Sequence, residues 1–289
     1  MDKLIEPFVE LIRRAATDLP PDVELALREA RDREAPGSAA EGALNTVLEN
    51  VAIARENSTP ICQDTGLPLF TVRYSQGTGV RHLQEQIEAA IAEATERAYL
   101  RPNAVDPVTG RNSGNNLGVG FPTYHFGEWD SDYLRVDVLL KGGGSANVGA
   151  QYKLPYAPLK AGRDLDGVRK VVLEAVYQAQ GRGCAPSVLG ITIGGDRGSG
   201  YVHAKEQLLR PLGDTNPVPE LAELEGRLLR ECNELGIGPM GFGGKTTVFS
   251  VKIGAYHRLP ACYFVSIAYM CWACRRARMT VRGEEVSYQ

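Results

Sequence analysis

The stretch Pro60-Ile61-Cys62-Gln63-Asp64-Thr65-Gly66-Leu67-Pro68-Leu69-Phe70 sets a thiol, an amide, a carboxylate and a hydroxyl side by side and closes them with a glycine. Helix-like sequence leads into it and strand-like sequence leaves it. A packed core rarely accommodates Gln-Asp-Thr in a row, because each polar group needs a buried partner. A loop that presents these side chains to a ligand accounts for them better. The rest of the chain can then be placed around that loop.

Upstream, apolar residues recur at helical spacing in three segments. Residues 3–18 carry Leu4, Ile5, Phe8, Val9, Leu11 and Ile12 on one side. Pro20-Pro21 ends that helix, and Asp22 can cap a charged amphipathic helix over 22–34. Residues 39–57 predict a third helix with Leu44, Val47, Leu48, Val51 and Ile53 inward. Downstream, strands are predicted over 69–74, 133–140, 187–193, 246–253 and 262–268, the last two as a pair. Helices are predicted over 82–98, 164–180, 201–210 and 219–235, and residues 106–120 form a polar loop rich in Gly and Asn. There is no regular alternation of strand and helix. The expected fold is one α/β domain over residues 1–289, with mixed sheets, surrounding helices and a helical N-terminal layer.

The chain is 43% hydrophobic and 23% charged, an ordinary globular balance. A formal charge of −3 offers no basic excess for a phosphate backbone, which argues against nucleic acid as a partner. The N-terminus lacks an apolar signal core, and no apolar run is long enough for a bilayer, so a cytoplasmic protein with no membrane partner is expected. In that compartment the six cysteines are expected to be thiols.

Three of those cysteines stand at the ends of predicted elements: Cys62, Cys184 in Gly183-Cys184-Ala185-Pro186, and Cys271 in Cys271-Trp272-Ala273-Cys274. Two readings of them stand side by side. They are soft ligands for zinc or an iron–sulfur group, or they are small buried hydrophobes. Cys271 and Cys274 also match a CxxC redox half-site, while Cys232 and Cys262 read as core or near-core residues. Lys141-Gly142-Gly143-Gly144-Ser145-Ala146-Asn147 is either a backbone cradle for an anion or a plain turn. The run Gly236 to Thr247 is a second glycine-lined wall or a helix-ending turn, with Lys245-Thr246-Thr247 favouring the wall. Arg101 suits a carboxylate clamp, although surface ion pairs are the commoner use. Of the histidines, only His257 stands near a suspected site.

Taken together, Pro-Ile-Cys62-Gln-Asp-Thr-Gly, Lys141-Gly-Gly-Gly-Ser-Ala-Asn, Gly-Cys184-Ala-Pro, Gly-Ile-Gly-Pro-Met-Gly-Phe-Gly-Gly-Lys245-Thr-Thr and Met-Cys271-Trp-Ala-Cys-Arg-Arg resemble the class I fumarases, which are iron–sulfur hydro-lyases. The resemblance is to their N-terminal domain, or to the separate α subunit of two-subunit fumarases and L-tartrate dehydratases, and it covers roughly residues 8–280. It implies a fumarase-like fold and a 4Fe-4S cluster held by Cys62, Cys184 and Cys271, with one iron left open as a Lewis acid. It implies substrate contacts from Gln63, Asp64, Arg101 and Gly144, with Asp64 transferring the proton. The family histidine's position falls on Leu259, so His257, two residues away, is the expected stand-in. The implied reaction is reversible hydration of fumarate to malate, with L-tartrate dehydration as the alternative. The implied partners are a small dicarboxylate and a β subunit in an α2β2 assembly, because the complementary C-terminal domain is expected to lie outside this chain. A non-catalytic metal-binding structural protein is the competing class.

Overall fold

The computed structural model describes residues 4–289. In chain order the elements are α1 (Ile5–Thr17), α2 (Pro21–Arg33), α3 (Ala39–Asn57), β1 (Leu67–Tyr74), α4 (Val80–Glu96), β2 (Thr123–Glu128), β3 (Leu134–Lys141), α5 (Gly143–Asn147), β4 (Ala150–Lys153), α6 (Leu165–Ala179), β5 (Ser187–Gly194), α7 (Arg197–Gln207), α8 (Pro219–Glu234), β6 (Val248–Tyr256), β7 (Phe264–Met270), β8 (Arg276–Arg282) and β9 (Glu285–Tyr288). The three N-terminal helices and two mixed sheets agree with the α/β class read from the sequence. The chain divides into two compact units. One holds the residues up to Pro20, Glu49–Gly143 and Ala273–Gln289; the other holds Pro21–Leu48 and Gly144–Trp272.

The first unit is built on a five-stranded sheet in the order β2-β1-β3-β8-β9. β1 runs parallel to β2 and antiparallel to β3, and β8 and β9 continue the antiparallel side. The apolar stripe of α1 (Phe8, Leu11, Ile12) and that of α4 (Leu83, Ile87, Ile91) share one core with Phe70, Val72, Val136, Val138 and Met279 of the sheet. Each such side chain contributes roughly 1.5–3 kcal/mol when fully buried. Asp137 of β3 is buried, and its charge is matched by Arg135 at 3.0 Å and Arg278 at 2.6 Å. The β1–β3 register places Leu67 opposite Lys141. The residue that leaves the Cys62 loop therefore faces the residue that enters the Gly142-Gly143-Gly144 run.

The second unit has the sheet order β4-β7-β5-β6. Every residue of β5 is buried, as expected for a central strand covered on both faces. Val168, Val171, Val172 and Val176 of α6 and Leu221, Leu224 and Leu228 of α8 pack with Leu189, Ile191, Val251, Ile253, Val265 and Ile267. α7 lies close on β5 at Gly190, where a Cβ would sit 2.1 Å from the Ala204 carbonyl oxygen. The buried carboxylate of Glu34, just after α2, accepts from the N–H groups of Lys245 (2.8 Å) and Thr246 (3.0 Å) and so anchors the end of the 236–247 glycine run.

Several expectations change. The strands expected as a pair, now β6 and β7, are not neighbours: β5 runs between them, parallel to β6 and antiparallel to β7. Hydrophobic pattern locates a strand but says nothing of which strand it pairs with. Ile53 is 51% exposed and not inward. β2 is half-buried almost throughout, without a clean period of two. The segment Arg276-Ala277-Arg278-Met279-Thr280-Val281-Arg282 does alternate, but its three arginines hide the strand from an apolar count.

In the second unit Arg210, Asp214 and Lys252 form an ion cluster: Arg210 Nε donates to Asp214 at 2.8 Å, and the buried Lys252 ammonium donates to the same carboxylate. Burial pushes the Asp214 carboxyl up, but the hydrogen bonds and charges of Arg210 and Lys252 outweigh it and hold the pKa below the usual carboxylate range. A depressed folded pKa contributes stability that is present above the unfolded value and is lost as pH falls through the folded one. The thermal midpoint of the wild type is therefore expected to fall once pH drops below about 4. Asp214→Asn is expected to lower the midpoint at neutral pH and to flatten the acid slope; calorimetry curves that stay parallel would contradict this.

Candidate active site

The loop between α3 and β1 is held at both ends within the first unit. Ile61 is buried, its N–H donates to the Ala16 carbonyl at 3.0 Å, and its carbonyl accepts from Asn50 Nδ2 at 2.9 Å. At the exit, Gly66 has φ +83°, and a Cβ there would lie 2.8 Å from the backbone carbon of Lys141. Only glycine permits both that conformation and that approach. Between these anchors Cys62 and Asp64 are half-buried, Gln63 is exposed and Thr65 is fully buried.

Each polar group of the loop has a defined task. Thr65 Oγ1 accepts from the Arg101 N–H at 3.0 Å and from Asn103 Nδ2 at 2.9 Å. Arg101 Nη1 donates to the Gln63 carbonyl at 3.2 Å. Asp64 Oδ1 accepts from the Gly66 N–H at 3.0 Å, and Oδ2 from the Gly143 N–H at 2.6 Å. A charged acceptor on two backbone donors is a strong, orienting arrangement. The glycine run after β3 thus cradles an anion, and the anion it holds is the carboxylate of Asp64. α5, which starts at Gly143, was not expected from the sequence.

The long polar segment after Arg101 is ordered. Asn116, 2% exposed, accepts from the Asn103 N–H at 2.6 Å and donates to the Arg101 carbonyl at 2.7 Å and to Thr95 Oγ1 at 2.9 Å. Asn103 and Asn116 are positioning residues that sequence reasoning passed over. The available signal was Pro102-Asn103 directly after an arginine already singled out, inside a segment too polar to be core.

In the second unit Cys184 and Cys271 come together at one end of the sheet. Cys184 precedes β5 and Cys271 follows β7; the Trp272 N–H donates to the Cys184 carbonyl at 3.0 Å, and Val188 pairs with Met270. Cys184 adopts φ +56°, a left-handed conformation that costs a non-glycine residue roughly 1–2 kcal/mol. Gly183 lies against Tyr269, where a Cβ would be 2.3 Å from the ring. Burial drives the Tyr269 hydroxyl pKa up to about 12, with the Cys271 and Cys184 thiols nearby adding to the shift. Gly144 is exposed, beside Arg182, whose carbonyl would lie 3.8 Å from an added Cβ.

His257 lies elsewhere in this unit. It follows β6 next to the β5 end marked by Gly194, opposite Tyr256, whereas Cys184 and Cys271 flank the other end. Eight strand residues separate the ends, or roughly 25 Å at about 3.3 Å per residue. His257 and the Cys184–Cys271 pair therefore flank opposite ends of this sheet. His257 lines a cavity with Asp196, Ser199, His203, Arg258 and Cys262, where the His203 ring stacks on Tyr256 at 4.0 Å.

No disulfide forms among the described cysteines. Cys232 is a core thiol on α8, driven by burial up to about 12. Cys274 is fully buried and accepts from Arg276 Nη1 at 3.5 Å. A thiol so enclosed is poorly placed for the exchange chemistry of a CxxC pair. Cys62, Cys184 and Cys271 are half-buried at element ends, Cys62 in the first unit and Cys184 and Cys271 in the second; thiols in such settings are accessible to soft ligands. No three of the His, Cys, Asp and Glu side chains among the described residues gather as ligands of a single metal ion. No helix among them is long and apolar enough to cross a membrane.

Residues 5–280 match the family model for fumarate hydratase (Fumerase). The chain is 51% identical over 279 residues to "Putative fumarate hydratase class I" of Geobacillus stearothermophilus, covering 96% of this chain and 54% of that relative. It is 36% identical to "Putative L(+)-tartrate dehydratase subunit alpha" of Methanocaldococcus jannaschii, covering 95% of this chain and 96% of the relative. It is 32% identical to "L(+)-tartrate dehydratase subunit alpha" of Escherichia coli K12, covering 98% and 92%. The chain belongs to the fumarate hydratase (Fumerase) family. It spans about half the length of the class I relative and nearly the whole length of the α subunits.

Gly66→Ala is expected to destabilise the first unit by at least about 2 kcal/mol, combining left-handed strain with the clash on Lys141. Urea titration followed by tryptophan fluorescence should show a lower midpoint at unchanged slope; an unshifted midpoint would show that the loop has room to move.

Proposed function

We propose that this chain is the α-subunit-like catalytic part of a hydro-lyase that hydrates fumarate to malate reversibly. Family membership supplies the reaction class. The observation that carries the site assignment is the Asp64 carboxylate, fixed by the Gly66 and Gly143 N–H groups in a loop that also presents Gln63 and is held by Arg101 from the segment after α4.

Cys62, Cys184 and Cys271 would hold a 4Fe-4S cluster, and their half-buried thiols fit that group. When bound, such a cluster supplies Lewis acidity for a substrate hydroxyl and carboxylate through an iron with no protein ligand. Asp64 holds or releases the carbon-bound proton at its carboxylate, and its two backbone bonds fix the direction of transfer. Gln63 and the outward guanidinium of Arg101 orient the substrate carboxylates, and the Gly144 backbone borders them. A β subunit completes the donor set, and an α2β2 assembly in the cytoplasm follows from that reading.

L-tartrate dehydration is the second reading. It is favoured by the near full-length match to proteins named as α subunits of that enzyme. Both substrates are four-carbon diacids, so the same loop suits either.

Cys62→Ser, Cys184→Ser and Cys271→Ser are each expected to lose most bound iron and sulfide after anaerobic reconstitution, whereas Cys274→Ser keeps both. Iron retention in all of the first three would sink the ligand assignment. Asp64→Asn is expected to keep the cluster and lower kcat by about 10²–10⁴-fold when the chain is assayed with its β subunit. Parallel assays with fumarate and L-tartrate identify the substrate. Full turnover by the chain without a partner would overturn the two-subunit reading.

A further inference from the structure

The glycine run 236–247 is a braced surface feature of the second unit. It folds back on itself: the Gly243 N–H donates to the Ile237 carbonyl at 2.9 Å, and a Cβ on Gly238 would lie 1.8 Å from the Gly243 carbonyl oxygen. Gly238, Gly241, Gly243 and Gly244 all have positive φ, which glycine adopts without penalty. Met240 stands among them with φ +53°. Glycine would be unstrained there and any side chain is penalised, yet the residue is methionine. Its side chain is 37% exposed, and the Phe242 ring two residues on is 65% exposed. Neither belongs to the hydrophobic core of the unit. One exposed apolar side chain on a protein surface is ordinary. Two large ones on a strained, glycine-braced loop are not explained by packing within the chain.

Two contacts tie this loop to the surroundings of Cys184. The Met240 N–H donates to the Ala185 carbonyl at 2.9 Å, and a Cβ on Gly181 would lie 2.7 Å from the Met240 carbonyl oxygen. Met240 is thus fixed against the chain on both sides of Cys184, within one compact unit. A polypeptide that completes the donor set beside Cys184 has to lie against the backbone next to it. The stretch matched here is 54% of the class I relative, and the remainder of that protein is the counterpart of the β subunit proposed above. Methionine and phenylalanine are enriched at the buried centre of protein interfaces, and methionine adapts its shape to an apolar partner.

We propose that Met240 and Phe242 are anchors of the interface with the β subunit, which covers both side chains beside the Cys184 loop. The strain at Met240 is retained because its side chain is needed in that contact. The inference rests on the two-subunit reading given above and names the face on which the partner sits.

The test uses the full chain and its β subunit, the separate chain corresponding to the remainder of the class I relative. Titration calorimetry reads the affinity of wild type, Met240→Gly, Phe242→Ser and the double variant, and circular dichroism checks folding. Each single variant is expected to weaken the complex by about 10–30-fold, and the double variant by more than either. Met240→Gly alone is expected to melt no lower than wild type, because left-handed strain is relieved. Stability kept while binding is lost is a combination that a merely structural methionine would not give. Leu25→Ser, which removes another exposed apolar side chain of the same unit, is expected to bind as wild type does. If Phe242→Ser does not fold, Met240→Gly decides by the same titration. Wild-type affinity in the double variant would overturn the proposal, and so would an equal loss in Leu25→Ser. Sedimentation that shows the isolated chain as a dimer, dissociated by the double variant, would give the face to a second copy and overturn it too. A wild-type chain that does not bind the β subunit at all would overturn the two-subunit reading with it, a result distinct from unchanged affinity in the variants.

Discussion

The Asp64 carboxylate is bonded at both oxygens to backbone N–H groups, one in its own loop and one at the end of β3. Much of the first unit's geometry is needed to make that pair of bonds possible. β1 and β3 must be in register, so that Leu67 faces Lys141. Gly66 must be glycine, because its α-carbon rests on the Leu140–Lys141 backbone. Gly142 is best kept as glycine, because a Cβ there would crowd Asp64 Oδ2 at 3.1 Å. The sheet does not merely carry the loop; by its register it brings up the start of α5, which supplies one of the two donors that aim its carboxylate.

A second layer of polar residues stiffens the same loop from outside. Thr65 has no exposure and receives two donors, from Arg101 and Asn103. Asn116 in turn ties Asn103, Arg101 and the end of α4 together. Pre-organisation of this kind fixes the direction of a carboxylate before any ligand arrives. The second unit solves a comparable problem by backbone strain: Cys184 is forced into a left-handed conformation between Tyr269-packed Gly183 and the first residues of β5.

Legibility in the sequence differed by residue for physical reasons. The loop 60–70 was readable because consecutive polar groups cannot be hidden in a core without partners. Helices α1 to α4, α6 and α8 were readable because their apolar stripes repeat at helical spacing over many residues. β8 was obscured because arginines occupy its outward positions, and β2 because it has no clean inside and outside. His257 looked close to the site because it precedes Cys271 by few residues, but β7 lies between them and carries the chain across the sheet.

Sequence alone determined the fold class, the polar loop and the resemblance that family comparison later established. These follow from local chemistry and from spacing along the chain. Tertiary structure alone decided which strands are neighbours, that the glycine run holds Asp64, that His257 faces the far end of its sheet, and that Arg275 is buried with open donors. Those facts depend on pairing register and burial between residues far apart in sequence. A one-dimensional pattern does not encode which distant backbone donor meets which carboxylate.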